Sequence, residues 1–267
     1  MSIYNLAGNT ANSAFNLAGE SRAAAFKLNG DAIPLDAFLD NAVVTALPSI
    51  SVSGIKQGAC TDGTYIYQIC FDNNNYTSGK FIKYKISDGT YTTITFDGTV
   101  NFGHGNDMCY NPNNGHIYVC CMTSDGAVIE LDSSLQYVQT HYVIGKTGNT
   151  YKVWQFCFDR NKNHFLSANG SGMAVYDQNW NYIGWYAIPT HPNATAQGCE
   201  TDGNYIYRIT YDPNYIDVAT IDGSYVKTIN LPVSGEPEAI MFNWTNGEYY
   251  ISRTGASNFF FKVELFE

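Results

Sequence analysis

The feature that most constrains this chain is a short pattern that occurs five times: "KQGACTDGTYIYQICF" (56–71), "GNDMCYNPNNGHIYVCCM" (105–122), "VWQFCFDRNKNHFLSA" (153–168), "AQGCETDGNYIYRITY" (196–211) and "PEAIMFNWTNGEYYIS" (237–252). Each copy is an apolar run, a turn opened by Asp or Asn, and a second run rich in Tyr, Ile or Phe. Asp62, Asn111, Asp159, Asp202 and Asn243 open those turns, at separations of 49, 48, 43 and 41 residues. Short polar side chains suit the place because they bond to nearby backbone and start tight turns. Two more strand-like runs follow in each of the first four units, as with "FIKYKI" and "YTTITF" in the first. Asp88-Gly89 and Asp222-Gly223 separate such pairs, a strong hairpin signal. Four antiparallel strands repeated at this spacing predict an all-β fold, a five-bladed β-propeller.

The fifth unit is one strand short, since the sequence stops at Glu267 soon after "FFFKVEL". Near the other end, "VVTALPSISVSGIKQG" (43–58) parallels "VKTINLPVSGEPEA" (226–239), a fourth strand leading into a next unit. Residues near Val43–Val52 are therefore expected to pair onto the last blade and close the ring, which removes a free sheet edge. The propeller is assigned to residues 41–267. Before it, "YNLAG" at Tyr4, "FNLAG" at Phe15 and "FKLNG" at Phe26 recur with a period of 11. Their Ala-Gly and Asn-Gly turns predict short β-hairpins instead of a helix. Hairpins this small bury no core alone, so residues 1–40 read as an attachment or oligomerisation segment.

Charge narrows the partners. The net charge of −10, with 14 Lys and Arg and no basic run, argues against nucleic acid. No apolar stretch approaches the roughly 20 residues of a membrane helix, so no membrane insertion is expected. "MSIYNLAGNT" lacks the basic start and apolar core of a signal peptide. A cytoplasmic or non-classically exported location follows as the expectation. The seven cysteines include Cys60, Cys109 and Cys157 inside apolar runs, without CxxC pairs. They read as small hydrophobes, not as disulfides or zinc ligands.

In a propeller the innermost strand of each blade starts at the face where ligands usually bind. Five residues before each turn anchor stand Gln57, Asn106, Trp154, Gln197 and Glu238, and the next positions hold Gly58, Asp107, Gln155, Gly198 and Ala239. Such residues either satisfy backbone groups and channel waters where five strands converge, or they touch a ligand. With His104 leading into the second blade, the candidate ligand-binding set is Gln57, His104, Asn106, Asp107, Trp154, Gln155, Gln197 and Glu238. A His104–Asp107 pair could act as base and orienter, but no Ser or Cys nucleophile stands near it. Paired carboxylates across a sugar could come from Asp107, Glu200, Glu236 and Glu238. No calcium-loop spacing surrounds Asn106, Asp107 and Glu238. No catalytic residue, metal or cofactor is assigned.

The Gln-Gly pairs at 57–58 and 197–198 resemble blade openings of the glutaminyl-cyclase-type propellers, which form pyroglutamate. Where that family carries an acidic site, after the first blade's second strand, this chain has "YQICFDNNNYTSG". The family's catalytic residues are therefore not carried over. "HGNDM" with Tyr110 and Pro112, and "GEPEA" (235–239), resemble blade openings in propeller proteins of phages, prophages and gut Firmicutes. The aromatic–x–Leu–x–Gly copies are similar to segments of the same proteins. This resemblance implies a non-enzymatic virion component, a tail or head appendage that binds a cell-surface receptor or glycan. It would join other virion or surface-assembly proteins through residues 1–40. Loops such as "GNTYKVW" (148–154) and "YDPNY" (211–215) supply rings and amides suited to sugars. The competing readings are an enzyme of glycosidase or glutaminyl-cyclase type and a pure assembly scaffold.

Overall fold

A computed structural model describes residues 26–28, 31–33, 40–145, 147–149, 151–170, 172–188, 194–255 and 257–265. The chain divides into two compact units, Met1–Leu39 and Asp40–Glu267. In the first, Phe26–Leu28 pairs antiparallel with Asp31–Ile33, a hairpin placed where Asn-Gly predicts one. The copies at Tyr4 and Phe15 lie outside the described residues.

The second unit is a five-bladed β-propeller. Blade 1 runs outward through Ile55–Thr61, Tyr65–Asp72, Asn75–Lys85 and Tyr91–Thr95. Blade 2 comprises Asp107–Asn111, His116–Cys120, Ala127–Leu131 and Tyr137–Tyr142, and blade 3 Gln155–Asp159, His164–Asn169, Gly172–Tyr176 and Tyr182–Ala187. Blade 4 is built from Thr195–Thr201, Tyr205–Tyr211, Tyr215–Thr220 and Tyr225–Asn230. Blade 5 takes Pro237–Asn243, Glu248–Arg253 and Phe260–Glu264 from one end of the sequence and Val43–Ala46 from the other. Phe261 faces Ala46 and Glu264 faces Val43 in that closing pair. Just upstream, Asp40–Asn41 adds a parallel fifth strand to blade 4, opposite Ile229 and Asn230. The repeat pattern gave no sign of this strand. Among the described residues no helix is long and apolar enough to cross a membrane.

The turn anchors work as their chemistry suggests. Asp62 Oδ1 accepts the Thr64 and Tyr65 backbone N–H groups, both at 2.7 Å, and its Oδ2 accepts the Tyr67 hydroxyl at 2.8 Å. Thr61 Oγ1 accepts the Gly63 N–H and donates to the Tyr65 carbonyl. Blade 4 repeats the set from Thr201 to Tyr207. The glycine is required because φ reaches +97° at Gly63 and +88° at Gly203.

The core lies between blades rather than within one layer. Five buried clusters fill the five interfaces: around Phe71 and Ile117 between blades 1 and 2, and around Phe156 and Phe165 between blades 2 and 3. Leu166 and Cys199 mark the next, Ile209 and Ile240 the one after, and Tyr84 and Met241 the last. Each fully buried side chain of this size contributes about 1.5–3 kcal/mol, so the ring is held by its seams. All seven cysteines are buried and free, as small apolar fillers are.

Candidate functional site at the axial mouth

Innermost strands of blades 1, 4 and 5 do not pair regularly at their beginnings. The ladder shifts between Lys56 and Ala59, between Ala196 and Cys199, and between Pro237 and Ala239. Those bulges free Gln57-Gly58, Gln197-Gly198 and Glu238 from their neighbours at one end of the axis. Bulges commonly re-aim side chains in this way.

Asp107, from blade 2, closes the axis. Its Oδ2 accepts the backbone N–H of Phe156 at 2.8 Å and of Cys199 at 2.9 Å, while Oδ1 accepts that of Met108 at 3.0 Å. One carboxyl group thus ties blades 2, 3 and 4. Burial pushes its pKa well up, and the three N–H donors pull it the other way. Gly58 leaves it room, since a Cβ there would stand 2.5 Å from the Asp107 Cα; one on Gly198 would stand 2.8 Å from the Ala239 Cα and 3.1 Å from Asp107 Oδ1. Asn106 lies beside it, donating from Nδ2 to the carbonyls of Trp154 at 2.6 Å and Gln197 at 3.2 Å. Gln155 donates to the Gly198 carbonyl and accepts from Arg208 Nε at 2.8 Å. Gln197 donates to Glu236 Oε1 at 2.6 Å.

Seven of the eight residues singled out in the sequence fall into two groups, and His104 stands apart. Asn106, Asp107, Gln155 and Gln197 bond across blades. Gln57 Oε1, Trp154 Nε1 and Glu238 Oε1 are buried atoms with no hydrogen-bond partner among the described residues. Glu238 is 1% exposed, and burial, with the charge of Glu236 added, pushes its pKa well up. Lys152 places its ammonium 5.0 Å from the Trp154 ring. His104 is half-buried at the edge, 6.1 Å from the Tyr76 ring, and burial lowers its pKa against the pull of Glu236. The mouth therefore holds two buried acceptors, Gln57 Oε1 and Glu238 Oε1, the second on a carboxyl group biased toward its neutral form beside Glu236, and one buried indole donor.

Asn106, Asp107 and Glu238 do not form a hard-cation cradle, since both Asp107 oxygens are taken by N–H groups and Asn106 presents its nitrogen. Glu200 belongs elsewhere. It lies past the Asp107 layer on its strand, accepts the Thr201 N–H, and is pushed up to about 7 by burial despite the nearby Arg160 charge. Lys152 and Arg208 were not visible as site residues in the sequence. Arg208 occupies a place in an alternating strand that reads as ordinary, and only the folded ring brings it to Gln155.

No family model matches this chain, and no curated protein matches it in sequence. Solved structures do match in shape. Glutaminyl cyclase of Myxococcus xanthus superposes with a TM-score of 0.63 at 11% identity, covering 85% of this chain and 97% of that one. Regucalcin, a calcium-binding protein of Agrobacterium tumefaciens, superposes with a TM-score of 0.54 at 9% identity, covering 85% and 95%. The shared property is the fold. At these identities the likeness extends to the propeller and not to its chemistry.

Proposed function

We propose that the propeller is a binding module that takes a hydroxyl-bearing ligand, a cell-surface glycan, at the axial mouth. The observation that carries this reading is the trio of buried, unpartnered atoms Gln57 Oε1, Trp154 Nε1 and Glu238 Oε1. An unsatisfied buried polar group costs about 1–3 kcal/mol, and a ligand that completes the bonds recovers it. Sugar hydroxyls both donate and accept, so one saccharide end can serve acceptors and donor together. Residues 1–40 then act as the attachment segment, and a virion tail or head appendage is the setting that accommodates both parts.

Glycan-array screening followed by calorimetric titration tests the reading. Glu238→Gln and Trp154→Phe each remove one hydrogen-bonding function with little change of shape. Each is expected to weaken binding by about tenfold, the equivalent of 1.4 kcal/mol. Unchanged affinity in both variants would remove the mouth as the binding site.

A catalytic reading is favoured by one observation, the neutral-biased Glu238 carboxyl beside Glu236. A buried acid next to a carboxylate is a usable proton donor and acceptor pair. Product release from a bound glycan, abolished by Glu238→Gln, would decide for it.

A further inference from the structure

The polar groups at the mouth are sorted by kind. Gln57 Oε1 and Glu238 Oε1 are acceptors, on blades 1 and 5. Glu236, just ahead of blade 5, adds a carboxylate on that side and spends Oε1 on Gln197. Blades 5 and 1 are neighbours, sharing the seam around Tyr84 and Met241. The donors come from the segment that enters blade 3, whose neighbour is blade 2 through the seam around Phe156 and Phe165. Trp154 Nε1 is buried without an acceptor, and the Lys152 ammonium lies 5.0 Å from the same ring. Ring order therefore sets a donor side across the axis from an acceptor side.

Indole N–H and ammonium groups only donate. A hydroxyl offers them one oxygen, whereas an acid group brings several bare oxygens and the opposite charge. Lys152 has a charge to match, since among the described residues it makes a ring contact and no ion pair. Both donors stand on a fixed backbone. The Lys152 carbonyl accepts from Asn169 Nδ2 at 2.9 Å, and the Trp154 carbonyl accepts from Asn106 Nδ2 at 2.6 Å. Groups held this way need little ordering when a ligand arrives. His104 shares the edge: burial lowers its pKa, Glu236 opposes that, and Lys152 adds to it, so the charges of both sides reach one opening.

We infer that the saccharide taken at the mouth is an anionic one, with its acid group on Trp154 Nε1 and Lys152 and its hydroxyls toward Gln57 and Glu238. This inference rests on the glycan reading of the mouth and adds the ligand's charge to it. Carboxylate, sulfate and phosphate share the chemistry that such a corner recognises, and the test separates them. It is calorimetric titration of the whole protein with matched pairs: sialyllactose against lactose, trigalacturonate against its methyl ester, and galactose sulfate or galactose phosphate against galactose. In at least one pair the acid is expected to bind about tenfold more tightly than its neutral counterpart. Lys152→Met should bring that ratio close to one, and Lys152→Arg should retain it. Glu238→Gln should weaken both members of the pair and leave their ratio in place. An unchanged melting temperature verifies the fold of each variant. Neutral sugars that bind as tightly as the acids, or a ratio that survives in Lys152→Met, overturn the anionic inference while leaving the mouth standing. Absence of binding to any member of any pair by the wild type overturns both.

Discussion

At the scale of single residues, Asp107 carries the architecture of the axis. Its position was conspicuous in the sequence because two sister blades have Gly there, but the reason is reciprocal. Gly58 is small because the Asp107 backbone stands against it, whereas at Gly198 the nearest atom is the Ala239 Cα of blade 5, with Asp107 Oδ1 behind it. Periodicity can show that a residue departs from its copies; it cannot show that the copies have made way for it. Asp107→Ala strips the acceptor from the buried N–H groups of Phe156 and Cys199. With about 1–3 kcal/mol for each orphaned donor, the denaturation midpoint should fall markedly. Gly58→Ala should also destabilise, since its new methyl would meet Asp107 backbone rather than a movable side-chain tip. A neutral outcome for both would refute the closing role. Glu238 and Trp154 were legible only as polar places in a ring, because the presence or absence of a hydrogen-bond partner is decided by other blades.

At the scale of elements, the five inner hairpins were readable because turn chemistry and strand alternation agree in each copy. The closing strand was readable from the likeness of 43–58 to 226–239, with the paired part limited to Val43–Ala46. Ile50 and Val52, beyond it, pack instead into the seam between blades 5 and 1. Blade 2 contains a polar tie that no repeat announces. Glu130 accepts from His116 at 2.6 Å, His141 at 2.7 Å, Gln139 at 2.8 Å and Tyr118 at 3.0 Å. His141 in turn stacks on Trp180 of blade 3, ring centres 4.9 Å apart. Burial alone would raise the Glu130 carboxyl, but these four donors outweigh it and bring it down to about 2 from an ordinary 4.5. A carboxyl lowered on folding stabilises fully above its ordinary range, and that contribution disappears as pH falls through the folded value. Acid titration of stability should therefore be steeper in the wild type than in Glu130→Gln between pH 4.5 and about 2. Parallel curves would contradict the tie.

At the scale of the whole molecule, the ring has two unlike ends separated by the Asp107 layer. One holds Gln57 Oε1, Trp154 Nε1 and Glu238 Oε1; Asp159 Oδ2 and Arg160 Nε, toward the other, are likewise buried without a partner among the described residues. Toward the other lies Glu200, with Arg160 packed between the rings of Tyr110 and Trp244 at 5.8 Å and 5.2 Å. The Glu200 carboxyl, raised by burial to about 7 from 4.5, has the opposite pH linkage from Glu130. Its contribution is complete below the ordinary value and is lost as pH rises through the folded one. Stability should accordingly decline between pH 4.5 and about 7, and Glu200→Gln should flatten that decline in denaturant melts followed across pH. A decline of unchanged slope in the variant would place the proton elsewhere. Function was less legible than fold for a physical reason: five-fold repetition reveals strands and turns, while a ligand site depends on where the copies fail to satisfy one another.

The mouth is tested most directly by the indole N–H signals of the ¹⁵N-labelled protein. The chain has four tryptophans, Trp154, Trp180, Trp185 and Trp244, so each signal can be assigned by single Trp→Phe substitutions. On titration with the best-binding glycan, the Trp154 signal should move to the position of a hydrogen-bonded indole while those of Trp180 and Trp244 stay in place. A Trp154 signal that remains fixed at saturating glycan would contradict the account.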